Sequence, residues 1–445
     1  MKETTMKKYL IIFALFITPS LGFANPTQHV IIFGASLADA APLNSPQAEA
    51  KGNNNWIPFC FPNTSVCQKP YLTGTPISDR TNKYSSLFPT GLRINWSNFF
   101  TAKYFAKGYL VTYRQIVDAR KTDPTAYADI NDYNVDFAYG SAETGNKYTD
   151  DLHGYAPTMA YNPYVPNDTT TQPCTAPGWH HDPNNPLATA TSCVPGVAQQ
   201  IQEYLSLVQQ KADPDNIYVI WAGANDIFSN IGKLLTLADE HKYLTIATTL
   251  PKLLYNCSIL TSPTYVKVGN MEFSCPVNNL VLDVQTLINS GASAKNIYVI
   301  ALPDLSLAPA ASQYPKILTK YLISKRTNDN LIKKLNALSK KRNIPNVNVY
   351  PTDKAFDQIA KNANQYGFTD TSDSCVAKNG NEDPAVNNCN DYVFYNGKHP
   401  TGHAGQCIAS GISNYFSCKA KHGTNCENTS YEPFDAKCDL APISH

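Results

Sequence analysis

The sequence predicts an α/β fold, a three-layer α/β/α sandwich around a parallel sheet. Three observations carry that prediction. An amphipathic helix followed by a short β-branched or aromatic run recurs along the chain, the runs are apolar nearly throughout, and 43% of the 445 residues are hydrophobic against 16% charged. A strand apolar at every position is buried on both faces, and βαβ crossovers are what place helices there. The apolar fraction supplies a core and argues against disorder.

The elements follow in order. Residues 1–24 read as a secretory signal peptide: Lys2, Lys7 and Lys8, then the apolar run Tyr9 to Ile17, then the small-x-small site Gly22-Phe23-Ala24 before Asn25-Pro26. That run is well short of the roughly 20 residues that span a bilayer, so the expectation is secretion after cleavage near Ala24. His29 to Phe33 is the first strand, and Val135 to Ala138 another. Val197 to Gln210 is a helix leading to the strand Ile217 to Trp221; Leu280 to Ile288 leads to Ile297 to Ala301; Tyr321 to Lys341, with Leu331, Leu335 and Leu338 on one face, leads to Val347 to Tyr350. Thr264 to Phe273 reads as a hairpin turning at Gly269-Asn270, and a helix begins near Gly402. Asn44 to Gly91 and Asn146 to Pro195, dense in Pro, Asn, Thr and Gly, are insertions that decorate a domain spanning 25–418. Residues 419–445 are a disulfide-pinned tail.

Lys and Arg total 36 and Asp and Glu 35, a net charge of +1 that leaves no single-sign field for nucleic acid. Twelve cysteines without a C-x-x-C pair, in an exported chain, indicate disulfides. Sequence neighbours suggest Cys60 with Cys67, Cys174 with Cys193, Cys257 with Cys275 and Cys375 with Cys389; Cys407, Cys418, Cys426 and Cys438 remain open.

Candidate chemistry gathers at strand ends, where functional residues of parallel sheets collect. The first strand runs into Phe33-Gly34-Ala35-Ser36-Leu37-Ala38-Asp39, placing a serine where a rigid strand meets a turn. Tyr139-Gly140-Ser141 ends the strand at 135, Gly223-Ala224-Asn225-Asp226 ends the one at 217, and Tyr395-Asn396-Gly397-Lys398-His399-Pro400-Thr401 precedes the last helix. Singly these are a capping serine, a turn glycine, a helix cap and a solvated histidine.

Together and in this order they resemble the four blocks of the GDSL (SGNH) family of lipases and esterases. Gly91-Leu92-Arg93-Ile94-Asn95-Trp96 and Tyr366-Gly367-Phe368-Thr369 are similar to further segments of that family, and the export signal, size and cysteine-bounded insertion look most like its secreted glycerophospholipid-cholesterol acyltransferase branch. The resemblance implies a flavodoxin-like SGNH sandwich, with Ser36 as nucleophile and His399 as general base and then acid. It implies an oxyanion hole of the Ser36 and Gly140 N–H groups and the Asn225 amide, each donor worth about 3 to 4 kcal/mol of barrier, and requires neither metal nor organic cofactor. His403 receives no role and is expected to tolerate change, while His399 is expected in an exposed loop.

Two positions depart from the pattern. Ala35 stands where the family has Asp, although Asp39 is kept, and Asn396 stands in the place of the triad aspartate. An amide accepts the imidazole N–H but does not stabilise imidazolium as a carboxylate does, and that exchange lowers kcat about 10⁴-fold in a serine triad. The chain is then a slower enzyme, a Ser-His dyad helped by another acid such as Asp391, or a relic. The expected activity is a secreted serine esterase acting through an acyl-enzyme on phospholipid or lysophospholipid esters, at a membrane surface, with water or a sterol as acceptor. A protease cutting the loop between Cys174 and Cys193 is the expected activator. The alternatives are a carbohydrate acetyl esterase and a non-catalytic lipid- or glycan-binding relative.

Overall fold

The computed structural model describes residues 28–38, 59–60, 67–68, 96–105, 110–113, 116, 120, 123–138, 142–145, 148–150, 178–180, 191–239, 241, 244–245, 248, 264–269, 271–312, 316–375, 389–395, 397–423 and 426. The leader, Asp39, Gly140, Asn396, Cys174, Cys257 and Cys438 lie outside these residues.

Six parallel strands form the central sheet: β1 (Val30–Gly34), β2 (Val111–Thr112), β3 (Val135–Asp136), β4 (Ile217–Trp221), β7 (Ile297–Ile300) and β8 (Asn348–Tyr350). Their order across the sheet is β2-β3-β1-β4-β7-β8. From β1 the chain builds one side of the sheet, then returns to build the other from β4. The β1–β4 boundary is therefore the switch point, where a crevice opens at the carboxyl ends.

Helices cover both faces, as the apolar runs require. Alternate residues of each strand point opposite ways, so Val30, Ile32, Val219, Trp221 and Ile300 enter one core and Ile31, Phe33, Tyr218, Ile220 and Val299 the other. The first core is closed by α1 (Trp96–Tyr104), α6 (Thr352–Lys361) and α7 (Gly402–His422). The second is closed by α2 (Val197–Leu207), α4 (Pro276–Asn289) and α5 (Arg326–Arg342), whose Leu331, Leu335 and Leu338 are buried as their spacing requires. The far half of α3 (Ala224–Asp239) packs through Leu237 on a hairpin of β5 (Tyr265–Val268) and β6 (Met271–Ser274) that turns at Gly269, φ 58°. Among the described residues no helix is long and apolar enough to cross a membrane.

Several boundaries differ from the sequence reading. The helix expected from Leu280 starts at Pro276, because proline is suited to the first helical turn. The segment expected to be α-helical from Tyr321 begins as a π-helix, Ile317–Lys325, that runs on into α5. α7 continues through Lys419 to His422, so the boundary at 418/419 falls inside a helix. A further parallel pair, β9 (Asp370–Ser374) and β10 (Tyr392–Phe394), precedes α7.

Cys375 is bonded to Cys389 as its spacing suggested, and Cys418 to Cys426. Cys275 and Cys407 are disulfide-bonded as well. Cys60 and Cys67 face each other across a short antiparallel pair. Of the insertion at 146–195, the strands Tyr148–Asp150, Gly178–His180 and Thr191–Pro195 form a small antiparallel sheet; the remainder of the loop proposed for cleavage lies outside the described residues.

Candidate active site

Ser36 sits two residues beyond the end of β1, in a turn closed by Ala38 N–H donating to the Ala35 carbonyl at 2.8 Å. Ala35 N–H donates to the Trp221 carbonyl at 3.0 Å, which locks this turn onto the end of β4. Gly34 makes that approach possible: a Cβ at this position would lie 2.3 Å from the Trp221 oxygen. On the other side, β3 no longer pairs with β1, and the buried Gln200 side chain takes its place. Its Oε1 accepts from Gly34 N–H at 2.8 Å and its Nε2 donates to the Gly34 carbonyl at 2.9 Å and to the Pro195 carbonyl at 3.1 Å. Trp96, at the start of α1, donates its indole N–H to the Leu37 carbonyl at 2.7 Å while its ring lies 5.5 Å from that of Trp221.

His399 reaches this turn from the far end of the chain. Its loop is drawn shut by a bridge between Phe394 and Pro400 and by Tyr395 N–H donating to the His399 carbonyl at 2.9 Å. Thr401 then caps α7, its Oγ1 accepting from Ala404 N–H at 3.2 Å. Ala310 N–H donates to the Gly397 carbonyl at 2.8 Å, tying the loop to the segment after β7. The result is a contact of 2.9 Å between His399 Nε2 and Ser36 Oγ.

The imidazole is buried, not in the exposed loop expected from its polar neighbours, because α7 and β10 close around it. Burial holds its pKa down at about 3, and the positive charge of Lys398 acts in the same direction. His399 is therefore neutral at ordinary pH. With its proton on Nδ1, Nε2 is free to accept from Ser36.

Asn225 lies in the first turn of α3, directly after β4, the strand paired with β1, and so stands at the same carboxyl edge as the β1 turn. Its Nδ2 donates to the Ala142 carbonyl at 3.0 Å, leaving a second amide hydrogen for another acceptor. Ala142 also packs against Ala35, so the segment following Gly140 closes on the serine turn. The neighbouring Asp226 is an anchor, beyond the simple cap read from sequence. Its buried carboxylate accepts from Thr144 N–H at 3.0 Å, from Thr144 Oγ1 at 2.7 Å and from Ser274 Oγ. Burial and the charge of Glu143 push its pKa up to about 7.

Ser36, His399 and Asn225 thus come to one edge of the sheet, while Gly140 and Asn396 are outside the described residues. Asp391 is exposed, and the bond described for it is through its carbonyl, which accepts from Thr369 N–H at 2.8 Å; among the described contacts none joins its carboxylate to His399. His403 corrects a second expectation. It is buried against Phe368, ring centroids 4.4 Å apart, and a Cβ on Gly367 would lie 3.1 Å from its Cε1. The Tyr366-Gly367-Phe368 segment therefore packs on His403, which is not free to vary.

Gln200 could have been found as the polar residue inside the apolar stripe Val197, Ile201, Tyr204 of its helix. The indole bond of Trp96 had no such signal. Fold and site define an α/β protein with a serine–histidine pair at the carboxyl edge of a parallel sheet. Compared with models of known protein families and with curated protein sequences, the chain matches none.

Proposed function

We propose that this protein is an exported serine esterase of the SGNH type that cleaves lipid acyl esters through an acyl-enzyme. The observation that carries the reading is the 2.9 Å contact between His399 Nε2 and Ser36 Oγ, made across 363 positions of sequence by a neutral imidazole. A hydroxyl is a weak nucleophile until a positioned base takes its proton. Ser36 Oγ attacks the ester carbonyl carbon as its proton passes to His399 Nε2. Negative charge develops on the carbonyl oxygen, where the Ser36 N–H and the second hydrogen of Asn225 Nδ2 are positioned to donate. Collapse expels the alcohol, which takes the proton from His399. Water, or an acceptor alcohol such as a sterol, then enters by the reverse sequence and releases the acyl group.

The burial of Ala35, Asp226 and His399 around the half-buried Ser36 and Asn225 supports the same reading, since a fixed turn and a fixed base need no reorganisation at the moment of attack. Labelling with a fluorophosphonate tests it. Wild type is expected to take up the reagent at Ser36 and lose ester hydrolysis, and Ser36→Ala to do neither. An unlabelled, well-folded wild type makes the chain a binding protein.

A further inference from the structure

β3 leaves β1 before the reactive turn is reached. The last bond between them runs from Phe137 N–H to the Ile32 carbonyl at 2.8 Å. Along a strand every second residue turns its N–H and carbonyl to the same neighbour, so the next pair on that side belongs to Gly34. Gly34 is buried, and buried backbone groups need partners. Gln200 supplies both, its Oε1 accepting at 2.8 Å where a strand carbonyl would and its Nε2 donating at 2.9 Å where a strand N–H would. The second amide hydrogen goes to the Pro195 carbonyl at 3.1 Å, just ahead of α2, whose Val197 N–H donates to the Glu143 carbonyl at 2.9 Å. Both amide hydrogens are used and the side chain is fully buried, so the group has one orientation. The set of partners selects glutamine, since one N–H needs an acceptor while two carbonyls need donors.

Ser36 follows two residues later, and its Oγ and N–H are aimed by the backbone that leaves Gly34. β4 holds that backbone on one side, through Ala35 N–H on the Trp221 carbonyl, and Gln200 holds it on the other. We infer that Gln200 is a positioning residue for ester cleavage, which fixes the serine turn from the side that β3 vacates and so acts on the acyl-transfer step and not on substrate binding. The inference rests on the esterase reading. A displacement of about 1 Å at a reacting atom costs on the order of 100-fold in rate, so the effect falls on kcat.

Two substitutions of similar volume test it on a soluble acetate ester. Labelling with excess fluorophosphonate to its end point counts competent sites, and kcat is expressed per labelled site. Gln200→Met removes all three bonds and is expected to lower kcat per site about 10- to 100-fold, with KM unchanged and the labelling rate slowed in parallel. A support that serves stability alone would lower the number of sites and leave the rate of each as it was. Gln200→Glu adds a pH profile. Protonated, the introduced carboxyl accepts from Gly34 N–H and donates to the Gly34 carbonyl; ionised, it has no donor and faces that carbonyl with negative charge. Burial raises its pKa, to about 8–9 in documented cases, and the nearest acids in sequence, Glu203 on α2 and Glu143 before it, act in the same direction. The per-site kcat of Gln200→Glu relative to wild type is therefore expected to be highest near pH 5 and to fall about tenfold or more towards pH 9. That profile decides the matter should Gln200→Met not fold. Per-site rates equal to wild type in Gln200→Met, or a ratio for Gln200→Glu that is flat with pH, overturn the assignment of Gln200 alone. A folded wild type that neither labels at Ser36 nor hydrolyses the ester overturns the esterase reading, and the positioning role with it.

Discussion

Acidification separates the buried His399 from an ordinary histidine. The imidazole titrates near 3 where an unperturbed one titrates at 6.5, a gap of roughly 5 kcal/mol against the imidazolium. At pH 5 an unperturbed histidine is about 3% neutral, whereas His399 is about 99% neutral. The acid limb of kcat/KM is therefore expected well below pH 5, since that limb reports the free enzyme's base. Activity is measured on a soluble acetate ester from pH 3 to 8, with the released alcohol quantified after the reaction is stopped. Stability carries the same signature. Between about 3 and 6.5 the unfolded chain binds a proton that the folded chain refuses, so stability falls as pH falls through that window, by about 1.4 kcal/mol per pH unit from this group. His399→Gln removes the slope, and the difference between the two proteins in denaturant titrations isolates it from buried acids such as Asp226. Asp226 has the opposite sign: its raised pKa makes its contribution greatest below 3.8 and lost as pH rises through about 7. An acid limb centred near pH 6.5, with no stability difference between wild type and His399→Gln, refutes the argument from burial.

Two further outcomes are expected. Asn396→Asp supplies a carboxylate at the position that orients the histidine in the resembled pattern, so kcat is expected to rise by up to about 10⁴-fold with little change in KM. Asp391→Ala is the control and should leave the rate unchanged, and a flat result for Asn396→Asp removes Asn396 from the orienting position. His403→Ala deletes a buried ring packed on Phe368 and is expected to cost about 1–3 kcal/mol in chemical denaturation; unchanged stability would show that the packing of the Tyr366-Gly367-Phe368 segment does not depend on it.

The sheet was legible in the sequence wherever a strand was apolar on both faces. Ile217–Trp221 and Ile297–Ile300 stand out for that reason, and their helices by the spacing of leucines and isoleucines. β2 was missed because two residues at a sheet edge carry no period. β9 was missed because Asp-Thr-Ser-Asp-Ser alternates nothing apolar. The site was legible by another route. No periodicity joins Ser36 to His399, and it was the resemblance of short motifs at strand ends that named both. The partners in the supporting contacts had neither signal: the apolar stripe of its helix marks Gln200 and the resemblance marks Trp96, but Gln200 to Gly34 spans 166 positions and Trp96 to Leu37 spans 59, and bonds of that kind follow from packing that a local pattern does not encode.

The carboxamide of Gln200 stands in for a missing strand at the end of β1. It belongs to a helix that opens immediately after the insertion at 146–195, and it grips Gly34 from there without using any residue of that insertion beyond the Pro195 carbonyl. Length and composition in the intervening loop are in this way decoupled from precision at Ser36. A change of length there leaves the Gln200 bonds to Gly34 in place, which makes this stretch one where sequence can vary without rebuilding that support of the serine turn.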